Sequence, residues 1–200
     1  MASRRAYFEL VQRMESREID LLIGTQMVAK GHDLPGVTLV TALLADQALN
    51  LPDFRSAERT FQLLTQVAGR AGRGELAGKV IIQTFNPEHY SIQCALHHDF
   101  RSFYQQELAL RRAFNYPPYT RCALVRISGI KKESVEGSAR LLARIIRQIK
   151  RQKRFETIRS LGPAPAPIFK LRNRIRFQAL IFSKEPGLLG KFLKLLKAQF

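Results

Sequence analysis

One break constrains this chain more than any other feature. At Asn115-Tyr116-Pro117-Pro118-Tyr119 two adjacent prolines forbid a helix from continuing. The charge balance changes at the same place. Residues 1–120 hold 13 Lys+Arg against 12 Asp+Glu, and residues 121–200 hold 20 against 4, so nearly all of the net charge of +17 sits in the last eighty residues. Two domains are therefore expected, residues 1–115 and 116–200. A field so strong and so segregated attracts a polyanion, foremost nucleic acid. A solvated basic surface, or one meeting an acidic protein, also satisfies the charge by itself.

The first domain alternates strand and helix signals. Unalternated apolar runs at 20–24, 37–44 and 79–85 predict strands buried on both faces, as in a parallel sheet covered by helices. Helices are expected over 4–17, 55–67 and 88–113. This is part of a doubly wound α/β domain, and its abrupt start implies further elements before it. The second domain reads β-α-β-β-α. Residues 121–128 alternate as a strand, and 138–150 carry Leu141, Leu142, Ile145, Ile146 and Ile149 at helical spacing opposite Arg140, Arg144, Arg147 and Lys150. Residues 168–172 and 174–182 predict two strands turning at Asn173. A terminal helix puts Leu188, Leu189, Phe192, Leu193 and Leu196 inward. The Gly162–Pro167 stretch, with three alternating prolines, predicts a stiff polyproline-like connector.

No apolar run approaches the length of about 20 residues that spans a bilayer, and the N-terminus has no apolar core of signal-peptide length. A cytoplasmic protein without a membrane partner is the expectation. The two cysteines, Cys94 and Cys122, lie far apart, and His32, His89, His97 and His98 form no ligand pair beside them, so no metal site is expected within the chain.

Two segments carry chemistry. Thr25 and Gln26 follow the first apolar run and open Gly24-Thr25-Gln26-Met27-Val28-Ala29-Lys30-Gly31-His32-Asp33. The carboxyl edge of a parallel sheet is where such sheets bind ligands. There the Thr25 hydroxyl suits a phosphate oxygen, Gly31 permits a close turn, and Asp33 can accept from a ribose. An ordinary strand–loop–helix junction reads the same way. The second segment is Gln66-Val67-Ala68-Gly69-Arg70-Ala71-Gly72-Arg73-Gly74. Arg70 and Arg73, three residues apart and separated by small residues, suit a clamp on a phosphoryl group during hydrolysis. Glycines merely ending a helix beside exposed arginines are the bland alternative.

In the hairpin around Asn173 the even positions Lys170, Arg172, Arg174 and Arg176 are basic. The odd positions Phe169, Leu171, Ile175, Phe177 and Ile181 are apolar. Period-two alternation predicts the apolar set against the core and the four cations together on the open face, where they would contact phosphates.

The stretches GTQMVAKGHDLPGVTLV and FQLLTQVAGRAGRG resemble motifs five and six of superfamily 2 helicases. The intervening ADQALNLPDFRSAERTFQLLTQ, with Asn115–Tyr119 and the stretch 161–178, is similar to the primosomal protein N-prime family over nearly the whole chain. The resemblance implies a partial second RecA-like motor lobe followed by a small basic α+β DNA-binding domain. It also implies an ATP-dependent 3′-to-5′ DNA helicase for replication restart and primosome assembly. Arg70 and Arg73 then match the arginines that reach the ATP γ-phosphate, and Gln66 starts the same motif. Gly31 and Asp33 match the nucleotide side of motif five, and Thr25 and Gln26 its DNA side. ATP and Mg²⁺ are implied as shared with a first lobe. Forked or single-stranded DNA, replication-restart proteins and single-stranded DNA-binding protein are the implied partners.

The sequence departs from the family in lacking a GxxxxGK[ST] loop, an acidic magnesium-holding quartet and the eight cysteines that hold zinc in the full family protein. It reads as a truncated, split or fragmentary product, expected to be inactive alone. The competing reading is a non-enzymatic DNA-binding or partner-docking module. A ribosome-associated basic protein would leave Arg70 and Arg73 unexplained.

Overall fold

The computed structural model describes residues 4–25, 37–69 and 78–200. The chain divides into two compact units, Met1–Glu107 and Leu108–Phe200, and is mixed α/β: a two-stranded parallel sheet in the first unit and a three-stranded antiparallel sheet in the second.

The first unit runs α1 (Arg4–Glu15), β1 (Leu39–Ala42), a 3-10 turn at Ala45–Ala48, α2 (Ser56–Ala68), β2 (Lys79–Ile82) and α3 (Tyr90–Leu96), and α4 (Phe100–Ala113) begins in it. β1 and β2 pair in parallel from Leu39↔Lys79 to Ala42↔Ile82. Parallel strands must be joined by a crossover, and α2 lies in that crossover. The core under them gathers Ala45, Phe61, Leu64, Ile92, Cys94, Ala95 and Phe103, with the rings of Phe61 and Phe103 stacked at 4.1 Å.

Three expectations fail here. The apolar runs of β1 and β2 are not buried on both faces: exposure alternates along each strand, with Leu39 and Ile81 exposed. Residues 20–24 form no strand, and Leu21 and Ile23 are exposed. An apolar run becomes a strand only when a neighbour takes its backbone hydrogen bonds, and among the described residues none pairs with it. The helix expected over 88–113 is two helices. At the break the amide of Asp99 donates to the Cys94 carbonyl and that of His98 to Ala95, with His98 in the left-handed region at φ 51°. This is the Schellman ending of a helix, built on histidine instead of glycine. The Asp99 carboxylate then caps α4, accepting from the Ser102 amide at 2.9 Å. The Ser102 hydrogen bonds hold its pKa below the usual carboxylate value. The same ending recurs at Asn115 (φ 53°), where the amides of Tyr116 and Asn115 reach back to the carbonyls of Arg111 and Arg112. It stops α4 before the prolines.

The second unit continues with β3 (Arg121–Gly129), α5 (Lys132–Lys150), a short 3-10 turn at Lys153–Phe155, β4 (Arg159–Leu171), β5 (Arg174–Ser183) and α6 (Leu188–Gln199). The strand order is β3-β5-β4, all antiparallel. Leu142, Ile145, Ile146 and Ile149 of α5 and Leu189, Phe192 and Leu196 of α6 close over Ala179 and Ile181 of β5. The helical spacing of the sequence is thus borne out, except that Leu141 is exposed.

Gly162–Pro167 is not a connector. It lies inside β4, whose pairing to β5 shifts register between Leu161 and Ala164 and again between Pro165 and Lys170. Prolines cannot donate to a ladder and are tolerated on edge strands, and β4 is an edge.

Gly162 sits at φ +85°, where a Cβ would lie 2.7 Å from the Gln178 carbonyl oxygen and 2.9 Å from the Ala164 nitrogen. Gly162→Ala is therefore expected to destabilise the second unit by about 1–3 kcal/mol. Thermal denaturation should show a clear drop in Tm, and an unchanged Tm would mean the register shift does not need this conformation.

His89 caps α3: its Nδ1 accepts from the Ser91 amide at 3.2 Å and lies 2.8 Å from the Ser91 hydroxyl. An acceptor nitrogen must be unprotonated. Burial holds the imidazole pKa below the ordinary 6.5, partly opposed by the Glu107 carboxylate. The native state thus takes up a proton less readily than the unfolded chain. The cap's contribution is complete above the unfolded value and is lost as pH falls through the lower folded value. His89→Asn keeps a capping acceptor that does not titrate. The loss of Tm between about pH 7.5 and pH 5 is expected to be smaller in this variant than in the wild type. Equal losses would remove His89 from the account.

Candidate nucleic-acid interface

The residues singled out in the sequence fall into two groups. Of the motor group, Gln26, Gly31, Asp33, Arg70 and Arg73 lie outside the described residues. Thr25 is exposed in irregular chain, and Gln66 is half-buried near the end of α2. Cys94 packs in the first unit's core, where burial pushes its thiol pKa up, with Asp99 adding to the shift, so it is no ready nucleophile. Among the described residues no group of three or more His, Cys, Asp or Glu could hold a metal, and no helix is long and apolar enough to cross a membrane.

The second group is the β4–β5 hairpin. Its strands are joined by two residues, Arg172 (φ 48°) and Asn173 (φ 60°). Positive φ at both central positions is the type I′ turn that matches strand twist, and Asn173 is well suited to it. The residues on either side pair as Leu171↔Arg174 and Lys170↔Ile175.

This register corrects the expected distribution of charge. Directly paired residues on antiparallel strands share a face. Across a two-residue turn the partners of even positions are odd. Lys170 therefore shares its face with Ile175, and Leu171 shares the other with Arg174. The four cations do not form one open face. Arg174 and Arg176 lie on the face away from the helices, since the opposite face of β5 holds the buried Ala179 and Ile181. Nor is the apolar set all buried. Ile181 is in the core and Ile175 and Phe177 are half-buried, but Phe169 and Leu171 are exposed.

The face away from the helices extends beyond the hairpin. Ser128 pairs with Arg176 and Arg126 with Gln178, placing a third arginine beside the pair on β5. The Arg174 guanidinium donates to the Ser128 carbonyl at 2.9 Å, which fixes it against the end of β3. Next along the sheet, Leu124, Leu180 and Leu161 form an apolar row across all three strands. Beyond it the Phe182 ring is covered by Tyr116, at 5.9 Å between centroids, and by the Arg159 guanidinium at 4.5 Å. Arg159 was not singled out in the sequence, and Arg126, expected opposite Cys122 and Leu124 on the strand, shares the face of Leu124. Only strand register puts them on this face, and register across β4 is hidden by the prolines. No Asp or Glu occurs between Glu156 and Glu185. The helical layer is basic too, with Arg140, Arg144 and Arg147 exposed on α5 and Lys191, Lys194 and Lys197 exposed on α6.

A family model described as the primosomal protein N C-terminal domain matches residues 112–199. The chain is 48% identical over 189 residues to the replication restart protein PriA of Bacillus subtilis, covering 94% of this chain and 23% of that protein. It is 44% identical over 190 residues to the PriA of Synechocystis, covering 95% and 22%. To that of Rickettsia felis it is 38% identical over 186 residues, covering 93% and 28%. The chain thus spans about a quarter of the length of the relatives it matches. With the family's C-terminal domain at residues 112–199 and this identity reaching upstream of it, the chain belongs to the replication restart protein PriA family and corresponds to its C-terminal part.

Proposed function

We propose that the chain is the C-terminal portion of an ATP-dependent 3′-to-5′ DNA helicase that restarts stalled forks. Residues 1–115 would serve as part of a second, RecA-like motor lobe and residues 116–200 as its DNA-binding domain. The observation that carries this reading is the β4–β5 hairpin, where exposed Lys170, Arg172 and Arg174 stand in an acid-free stretch on a unit with its own core. The parallel β1–α2–β2 arrangement supports the motor half.

On this reading Thr25 and Gln26 touch the DNA backbone. Gly31 and Asp33 face the nucleotide, and Arg70 and Arg73 reach across a cleft to a γ-phosphate held by another lobe, with Gln66 beside them. Bound ATP with Mg²⁺ supplies the transferable phosphoryl group. The arginines offset the charge developing on that group, a role that lysine's point charge fills poorly. The chain has no phosphate-cradling loop of its own. Zinc does not fit it: Cys94 is buried in the first unit's core and Cys122 lies on β3 of the second unit, and among the described residues no group of three or more His, Cys, Asp or Glu could hold a metal. Single-stranded DNA-binding protein and the other restart factors remain partners of the proposed whole.

The purified chain is expected to show no DNA-stimulated ATPase activity. Adding the first lobe as a separate chain should restore it, and Arg73→Lys should remove most of the restored rate. Turnover by the chain alone, lost in Arg70→Ala, would overturn the division of the ATP site between lobes. Failure of any first-lobe chain to restore turnover, with DNA binding intact, would favour a non-enzymatic DNA-binding or partner-docking module. That second reading rests on the compactness of the second unit.

Phosphate contacts set affinity without reading sequence. Replacing Arg172, Arg174 and Arg176 by Ala is expected to weaken binding to all DNA sequences alike. It should flatten the slope of log K against log salt by about 2–3 units, from roughly 0.7–0.9 per contact. A salt titration on forked and single-stranded DNA measures this. An unchanged slope would move the contacts to the Arg140, Arg144 and Arg147 face of α5.

A further inference from the structure

Three large apolar side chains, Ile168, Phe169 and Leu171, stand in solvent on the hairpin, at 50%, 38% and 47% exposure. Phe169 and Leu171 adjoin cations, and every residue from Pro167 to Arg174 is exposed. A surface built only to hold phosphates or to stay soluble would not carry them. We propose that the end of the β4–β5 hairpin is a wedge that places apolar side chains against the exposed bases at a branch in DNA, while the neighbouring cations hold the flanking phosphates. This rests on the DNA-binding reading above and deepens it.

β3 pairs with β5 only as far as Ile175, so the turn projects past the end of β3, and both of its faces are exposed from Pro167 to Arg174. The two-residue turn gives each face one apolar residue and one cation, Leu171 with Arg174 and Lys170 with Ile175. An element lying on one side of a phosphate backbone needs cations on one face only. An element entering a branch has nucleic acid on both sides and needs on each face an apolar body for a base and a charge for a phosphate.

The hairpin is also held in shape. Its turn angles suit the strand twist, the ring of Phe169 meets that of Phe177 edge-on at 6.0 Å, and Arg174 is tied to the Ser128 carbonyl. Apolar side chains that enter a base stack must open it, and opening is easiest where bases are already unpaired or at the end of a stack. A branch offers such bases, and an intact duplex does not.

The test uses the 200-residue chain with a forked DNA carrying 2-aminopurine at the first base pair of the branch, and a fully paired duplex carrying it internally. Wild type is expected to raise the fluorescence at the branch only, and to bind the fork about tenfold more tightly than the duplex, the range expected for one stacked base. The double variant Phe169→Ala, Leu171→Ala should lose both effects while keeping its duplex affinity and salt slope. The variant Phe169→Tyr, Leu171→Met should retain both, which separates the wedge from a general disturbance of the hairpin.

Fork binding with an ordinary salt slope but no fluorescence change, or an equal loss on fork and duplex in the double variant, would overturn the wedge and leave phosphate binding standing. Absence of salt-dependent binding to either DNA would overturn the DNA reading itself, as would preference for an acidic protein over both.

Discussion

The burial of one face of β5 decides where everything else in the second unit must go. Ala179 and Ile181 sit under Ile145, Ile146 and Ile149 of α5 and under Phe192 and Leu196 of α6. Each of these large aliphatic and aromatic side chains, once removed from water, contributes about 1.5–3 kcal/mol. Because side chains alternate along a strand, a slip by one residue would turn this set to solvent. The register of β5 is therefore fixed by its buried end, and β3 and β4 inherit it through their ladders. The positions of Arg174 and Arg176, on the same strand as Ile181, are consequences of where Ile181 has to be.

What the sequence revealed follows from how local each signal is. The helices of the second unit could be read because Leu142, Ile145, Ile146 and Ile149 repeat at the helical period, and a repeat is visible without knowing what it packs against. The parallel pair β1 and β2 could be read from their short apolar runs, but not its burial: the runs are unalternated in sequence, whereas exposure alternates along each strand. The hairpin was half legible: Asn173 marked the turn, but its length of two residues inverts parity between the strands. A pattern of even cations and odd apolar residues, continuous in sequence, is therefore discontinuous in space. β4 resisted reading because its prolines suggest a connector until it is known that the strand lies at an edge, and edge position is a property of the whole sheet.

The breaks within the first unit were hidden for a different reason. A helix that ends on glycine announces itself. Here the left-handed residue is His98, between α3 and α4, and Arg17 after α1, where the amides of Glu18 and Arg17 reach back to Arg13 and Met14. Such residues adopt positive φ less readily than glycine, so the closing hydrogen bonds must offset the strain. At His98 the help is visible, because Asp99 immediately caps the following helix. The motif-bearing residues Arg70, Arg73, Gly31 and Asp33 stood out in the sequence by composition and spacing, and fall outside the described residues.

Exposed apolar residues on an edge strand invite pairing with another chain, and β4 carries Ile168, Phe169 and Leu171 on such an edge. Two features of the same segment oppose it. Pro163, Pro165 and Pro167 remove donors that a foreign strand would need, and Lys170, Arg172, Arg174 and Arg176 repel a second copy of themselves. The cations therefore have two consequences that come from one cause. They keep an apolar tip in solution, and because no carboxylate between Glu156 and Glu185 balances them, they leave a repulsion that a bound polyanion relieves more fully than screening by small ions does. Binding of phosphate would remove that repulsion and, with it, the barrier that keeps the apolar side chains away from a partner. Charge and apolar surface on this hairpin are thus coupled: a polyanion without accessible apolar groups satisfies only the first, whereas nucleic acid with exposed bases satisfies both.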